Sequence, residues 1–197
     1  MNSLLELCTL IADEGAKYAH QHKKLFLELV KEKTSKIVSE KQVGAIFKFF
    51  SFLNWAYANG IWSNLSNTTL RRDLMRQSMK SIVLKTAYEL AEEKSNEAVA
   101  FSAVKLEQEF REFVFAYIER IKELSRKGLE PDANSATLCV LEWIEEYLGL
   151  NDADMNVIVP LFNNLAGDVA RIEEIAKQVN WAASQKRRGF FSRLFGS

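Results

Sequence analysis

The sequence predicts an all-α protein: a single-domain bundle of about six helices, with a central apolar helix and a short basic amphipathic C-terminal tail. Three observations predict it. Helix breakers are scarce, with eight glycines and two prolines among 197 residues. Ala, Leu, Glu and Lys, all strong helix formers, fill the long stretches between them. Apolar residues recur at three- and four-residue spacing, as one face of a helix requires. The length suits one domain with a short appendage. A composition of 48% hydrophobic and 26% charged residues is that of a folded rather than a disordered chain. We read residues 1–185 as the helical domain and 186–197 as the tail.

The first helix is expected from a Ser3 cap to about Lys33, with Leu4, Leu7, Cys8 and Ile11 on one face and Leu25, Phe26, Leu29 and Val30 extending it. A break in TSKIVSE leaves Ser39 to cap the second helix. That helix, about 43–59, is apolar on nearly every side, which marks it as central, and Gly60 is expected to end it. The apolar run 43–62 approaches the length of a bilayer span. Lys48, Asn54 and Asn59 interrupt it, and such groups are costly near a bilayer centre, so a buried helix is expected.

In the loop WSNLSNTT, Asn67 or Thr68 opens helix three, which carries Leu70, Leu74, Ile82, Leu84 and Leu90 towards Lys94. Ser95 and Asn96 open helix four. Its seam of Phe110, Phe113, Val114, Tyr117, Ile118, Ile121 and Leu124 is expected to face the core, with Glu107–Arg111 and Glu123–Lys127 as exposed pairs. Gly128 and Pro131 end it. Helix five, about 133–148, is expected to bury Val140, Trp143, Ile144 and Tyr147 and to present Glu142, Glu145 and Glu146 outward. Gly149 stops it. Asp152 is expected to cap a last helix towards Ala183, kinked near Pro160.

Chemistry leaves few marks. His20 and His22 are the only histidines; two apart on a helix, they point about 200° from one another and cannot readily share a metal. We read both as surface residues. The sequence holds no Glu-x-x-His, phosphate-binding glycine loop, G-x-S-x-G or C-x-x-C. No catalytic residue, metal ligand or cofactor is therefore assigned. Cys8 and Cys139 sit among apolar neighbours and read as buried free thiols. The aromatics Phe47, Phe49, Phe50, Phe52, Trp55 and Tyr57 read as core. On helix three, Arg72, Arg76 and Lys80 share a face, with Arg71 beside them. They form a candidate anion-binding stripe.

Charge divides the chain. Lys plus Arg and Asp plus Glu both number 26, a balance that argues against a nucleic-acid-binding surface. Yet no acid follows Glu174, so residues 175–197 carry +5 and residues 1–174 carry −5. The tail QKRRGFFSRLFGS places Phe190, Phe191, Leu194 and Phe195 on one helical face, with Lys186, Arg187, Arg188 and Arg193 on or before it. That is the pattern of an interfacial amphipathic segment, and it equally suits a helix that lies in a partner's groove. Its Phe-Phe-x-Arg-Leu core resembles the short elements with which some bacterial peripheral membrane proteins touch lipid.

The start, MNSLLELCTLIADEG, lacks a basic n-region, so a non-secreted, cytoplasmic protein is expected, peripheral at the inner face of a membrane if the tail meets lipid. The leading expectation is a non-enzymatic helical interaction module whose tail docks on a protein partner or an anionic membrane surface. Docking of the tail on its own acidic helix five competes with this. The alternative is a bundle that binds a small apolar ligand beside the aromatic helix 43–59.

Overall fold

The computed structural model describes residues 4–34, 36–63, 65–91, 95–128, 133–150, 160, 165 and 170–177. The chain is an all-helical bundle of about six helices. Its named elements are α1 (Leu4–Lys33), α2 (Glu40–Ser63), α3 (Thr68–Leu90), α4 (Asn96–Arg126) and α5 (Ala133–Leu148). Residues 170–177 add a further helical stretch, and no strand occurs among the described residues. None of the described helices is long and apolar enough to cross a membrane. The Asp152 cap and the tail 186–197 lie outside the described residues. Pro160 itself is helical.

Local chemistry accounts for the helix ends. At the start of α2, the Gln42 side chain accepts from the Ser39 backbone N–H (2.9 Å) and Ser39 Oγ accepts from the Gln42 N–H (3.4 Å). This reciprocal capping box satisfies two donors that would otherwise lack partners. Asn67 caps α3 by accepting from the Leu70 N–H, and Ser95 caps α4 by accepting from the Ala98 N–H. Gly128 (φ 74°) and Gly149 (φ 59°) adopt the left-handed conformation just beyond α4 and α5, where a side chain would be strained. Gly60 does not end α2. The helix runs on to Ser63, because Trp62 is buried and its indole N–H donates to the Ala176 carbonyl at 3.2 Å. Helix three stops at Leu90 rather than Lys94, where Ala91 turns extended.

The core is built around α2, which packs against α1, α3 and α5. Ile46, Phe47, Phe50, Phe52, Leu53 and Trp62 are all fully buried. Two polar residues within this helix are satisfied: Ser51 donates to the Phe47 carbonyl, and Asn54 Nδ2 donates to the carbonyls of Gly15 (2.9 Å) and Phe50 (2.8 Å), whereas the buried Asn59 Oδ1 has no hydrogen-bond partner among the described residues. Gly15 lets α1 approach α2 here, since a Cβ at that position would lie 3.0 Å from Asn54 Cβ. Tyr57 hydrogen-bonds Thr137 and so ties α2 to α5. Cys8 and Cys139 are buried free thiols, and burial pushes each up to about 11, far from the range of a reactive thiolate.

Three expectations about burial are corrected. His22 is not a surface residue: it is buried against Tyr18 and Phe50, while His20 faces outward and meets Glu89 at 3.1 Å. The α4 seam is only partly interior. Leu106 and Phe110 are buried, Phe113, Val114 and Tyr117 are half-buried, and Ile118 is exposed. On α5, Val140 and Ile144 are buried, but Trp143 is half-buried and Tyr147 is exposed. The reason is packing: α4 rests on α3 and touches α5 only sparingly, so the other named helices leave its outer face uncovered. The pairs Glu107–Arg111 (2.7 Å) and Glu123–Lys127 (2.6 Å) form as expected.

Candidate functional site

The middle turns of α4, residues 111–116, stand as a ridge between two open clefts. Successive helical residues point about 100° apart, so Arg111 and Val114 face the α3 side while Glu112, Phe113 and Ala116 face the α5 side.

The cleft on the α5 side has a volume of about 540 Å³, within the range of roughly 300–1,000 Å³ typical of ligand sites. Phe49 of α2, Phe113 of α4, and Trp143 and Tyr147 of α5 wall it. Phe113 and Trp143 stack with centroids 5.5 Å apart, and Phe49 lies 5.2 Å from Phe113 and 6.1 Å from Tyr147. Beneath them Phe52, fully buried, meets Phe110, Phe113, Tyr117 and Trp143 edge-on or tilted. Such ring pairs contribute about 0.5–1.5 kcal/mol beyond area burial, so the walls are held in place before any occupant arrives. The exposed carboxylates Glu112 and Glu146 stand at the rim. Glu142, one turn before Glu146, is engaged elsewhere, accepting from Arg120 at 2.9 Å. The result is an apolar aromatic slot with a negative edge.

The cleft on the α3 side, about 610 Å³, has the opposite sign. Arg71, Arg72 and Arg76 of α3 and Arg111 of α4 line it, and no carboxylate does. Its apolar part comes from Trp55, Met75, Met79 and Val114. Trp55 is fixed there by donation from its indole N–H to the Met75 carbonyl at 3.4 Å.

Of the stripe expected on helix three, Arg72 and Arg76 lie in this cleft, whereas Lys80, although exposed, is not part of its lining. Arg71 and Arg111 take the remaining places. In the sequence Arg111 reads only as the partner of Glu107. No spacing within one helix reveals that it meets residues of α3. The aromatics of α2 are core as expected, with Phe49 reaching one cleft and Trp55 the other. All eight docking-tail residues (Lys186, Arg187, Arg188, Phe190, Phe191, Arg193, Leu194 and Phe195) lie outside the described residues. Among the described residues, no three His, Cys, Asp or Glu side chains are grouped to hold a metal ion.

Fold and clefts together define a helical bundle with two open clefts, one edged by carboxylates and one by guanidiniums, on either side of α4. Comparison of the chain with protein-family models, curated proteins and solved structures finds no match.

Proposed function

We propose that the protein is a non-enzymatic helical interaction module whose C-terminal segment 186–197 docks on a protein partner or an anionic membrane surface. In this reading it is a cytoplasmic protein, peripheral at the inner face of a membrane where it meets lipid. The observation that carries the proposal is the cleft walled by Phe49, Phe113, Trp143 and Tyr147 and edged by Glu112 and Glu146. Its aromatic walls and negative edge match, in residue chemistry, a segment such as the tail, with its three phenylalanines and four cations. A partner that presents such a cleft, a second copy of this chain included, would take Phe190, Leu194 and a neighbour as anchors. The cations add attraction to carboxylates or to lipid, about 1 kcal/mol each near an anionic surface.

The test compares the full chain with one lacking residues 186–197, by partner recovery, by co-sedimentation with anionic vesicles and by sedimentation for self-association. The proposal expects truncation to abolish attachment without changing the melting temperature. Attachment that survives truncation contradicts it. A lowered melting temperature points instead to a tail docked on its own body.

The position of the aromatic cleft beside α2 supports a second reading, in which it holds a small apolar ligand. A rise in melting temperature on adding fatty acids, lost in Phe113→Ala, would favour this reading.

A further inference from the structure

The cleft on the α3 side has no role in that proposal, and its composition is unusual for a bare surface. Four guanidiniums converge on one concavity that no carboxylate lines. Two are held: Arg71 donates to the Ser63 carbonyl at 3.0 Å, and Arg111 pairs with Glu107 at 2.7 Å. Arg72 and Arg76 have no hydrogen-bond or ion-pair partner among the described residues. Like charges gathered in this way repel, and an anion relieves the repulsion. Guanidinium forks match the paired oxygens of a phosphate. Besides Thr68 and Thr69, the remainder of the lining, Met75, Met79 and Val114 over the fixed edge of Trp55, is apolar, and thioether side chains adapt to irregular ligands.

The geometry points to a binding site for an anionic amphiphile, with a phosphate ester held by Arg72 and Arg76 between Arg71 and Arg111, and an apolar chain laid along Met75, Met79 and Val114. Two sources share this chemistry: a phospholipid headgroup still in its bilayer and a free amphiphilic phosphate. A nucleic acid would engage the arginines but leave the methionine floor unused.

The test titrates the full-length chain with short-chain, monomeric dihexanoyl phosphatidic acid. Inorganic phosphate, dihexanoyl phosphatidylcholine and a single-stranded oligonucleotide serve as comparisons. Saturable binding of phosphatidic acid is expected, at least about tenfold tighter than inorganic phosphate, since the apolar half contributes. Arg72→Gln with Arg76→Gln should weaken it more than about tenfold, and Arg72→Lys with Arg76→Lys should retain part of it. Lys80→Gln, one turn along the same stripe but outside the cleft, should leave affinity unchanged. These side chains are exposed, so each variant should keep the wild-type melting temperature. Arg111→Gln provides a second site should the double variant fail to fold.

Vesicles of phosphatidylcholine with and without phosphatidic acid distinguish the sources. Binding to the doped vesicles alone, lost in the Arg72/Arg76 variant, identifies the bilayer; binding of the monomer identifies a free ligand. Phe190→Ala, Phe191→Ala and Phe195→Ala together should leave binding of the monomer intact, so the tail and this site stand or fall separately. The inference is overturned by no binding of either form. Equal binding of inorganic phosphate, a loss in Lys80→Gln as large as in the double variant, or tighter binding of the oligonucleotide also overturns it.

Discussion

Helices α2 and α4 are both long, and both carry phenylalanines at helical spacing, yet they serve opposite ends. Over 24 residues α2 buries fourteen; over 31 residues α4 buries only Leu106 and Phe110. Three named helices cover α2, whereas α4 lies at the edge of the bundle on α3 and, along a shorter line, on α5. Apolar surface on α4 therefore stays outside, with Phe101 80% and Phe115 67% exposed. The same residue types fill the core where the described helices cover them and line open clefts where they do not, and both clefts flank α4.

Substitutions test that contrast. Phe50→Ala, at the centre of α2, should destabilise the protein by roughly 3–5 kcal/mol in a denaturant titration, because a fully buried ring leaves a cavity. Phe113→Ala on α4 should cost about 2 kcal/mol, since its ring is only half-buried and water can enter the cleft it vacates. Equal costs at the two positions would remove the distinction between scaffold and edge. Smaller again is Glu89→Gln, which breaks the contact to His20 of α1 (3.1 Å) and the pair with Lys85 within α3 (3.4 Å). Partial burial pushes the Glu89 carboxyl up, but hydrogen bonds from His20 and Lys85, with the Lys85 charge, outweigh it and hold the group below its ordinary value. A carboxyl depressed in the folded state stabilises above the ordinary carboxylate range and loses that contribution as pH falls through its folded value. The variant should therefore lose at most about 1 kcal/mol near neutrality, with the gap to wild type closing in acid. Phe115→Ala, on the open face of α4, should stay within about 0.5 kcal/mol of wild type; a larger loss would mean that this face is covered in solution.

What was legible in the sequence follows the same division. Helix starts were readable because caps are local: Ser39 with Gln42, Asn67, and Ser95 each act within three residues. Glycine was readable only where no tertiary contact opposed it, so Gly128 and Gly149 stop helices while Gly60 is carried through by the anchoring of Trp62. Burial on α2 was readable because the helix is apolar all round and had to be central. Burial on α4 was not, because it depends on how many neighbours arrive, and periodicity reports a face without saying what covers it. His22 looked as polar as His20, yet its turn of α1 faces Phe50. Arg72 and Arg76 were found as a stripe, but the cleft requires Arg111 from another helix, a tertiary coincidence that no single-helix pattern contains.

In the proposed reading the bundle is a scaffold and the tail docks on a protein partner, a second copy of this chain or an anionic membrane, in preference to the cleft of its own body. The most direct measurement sets attachment beside melting temperature for two full-length variants. One carries Phe190→Ala, Phe191→Ala and Phe195→Ala; the other carries Arg187→Gln, Arg188→Gln and Arg193→Gln. The phenylalanine variant should lose most partner or vesicle attachment at an unchanged melting temperature. The arginine variant should attach more weakly and with less salt dependence, because exposed charges are screened over about 8 Å at physiological ionic strength. A melting temperature lowered by loss of the phenylalanines, each worth about 2 kcal/mol if buried against the body, would contradict the account. Attachment equal to wild type in both variants would contradict it as well.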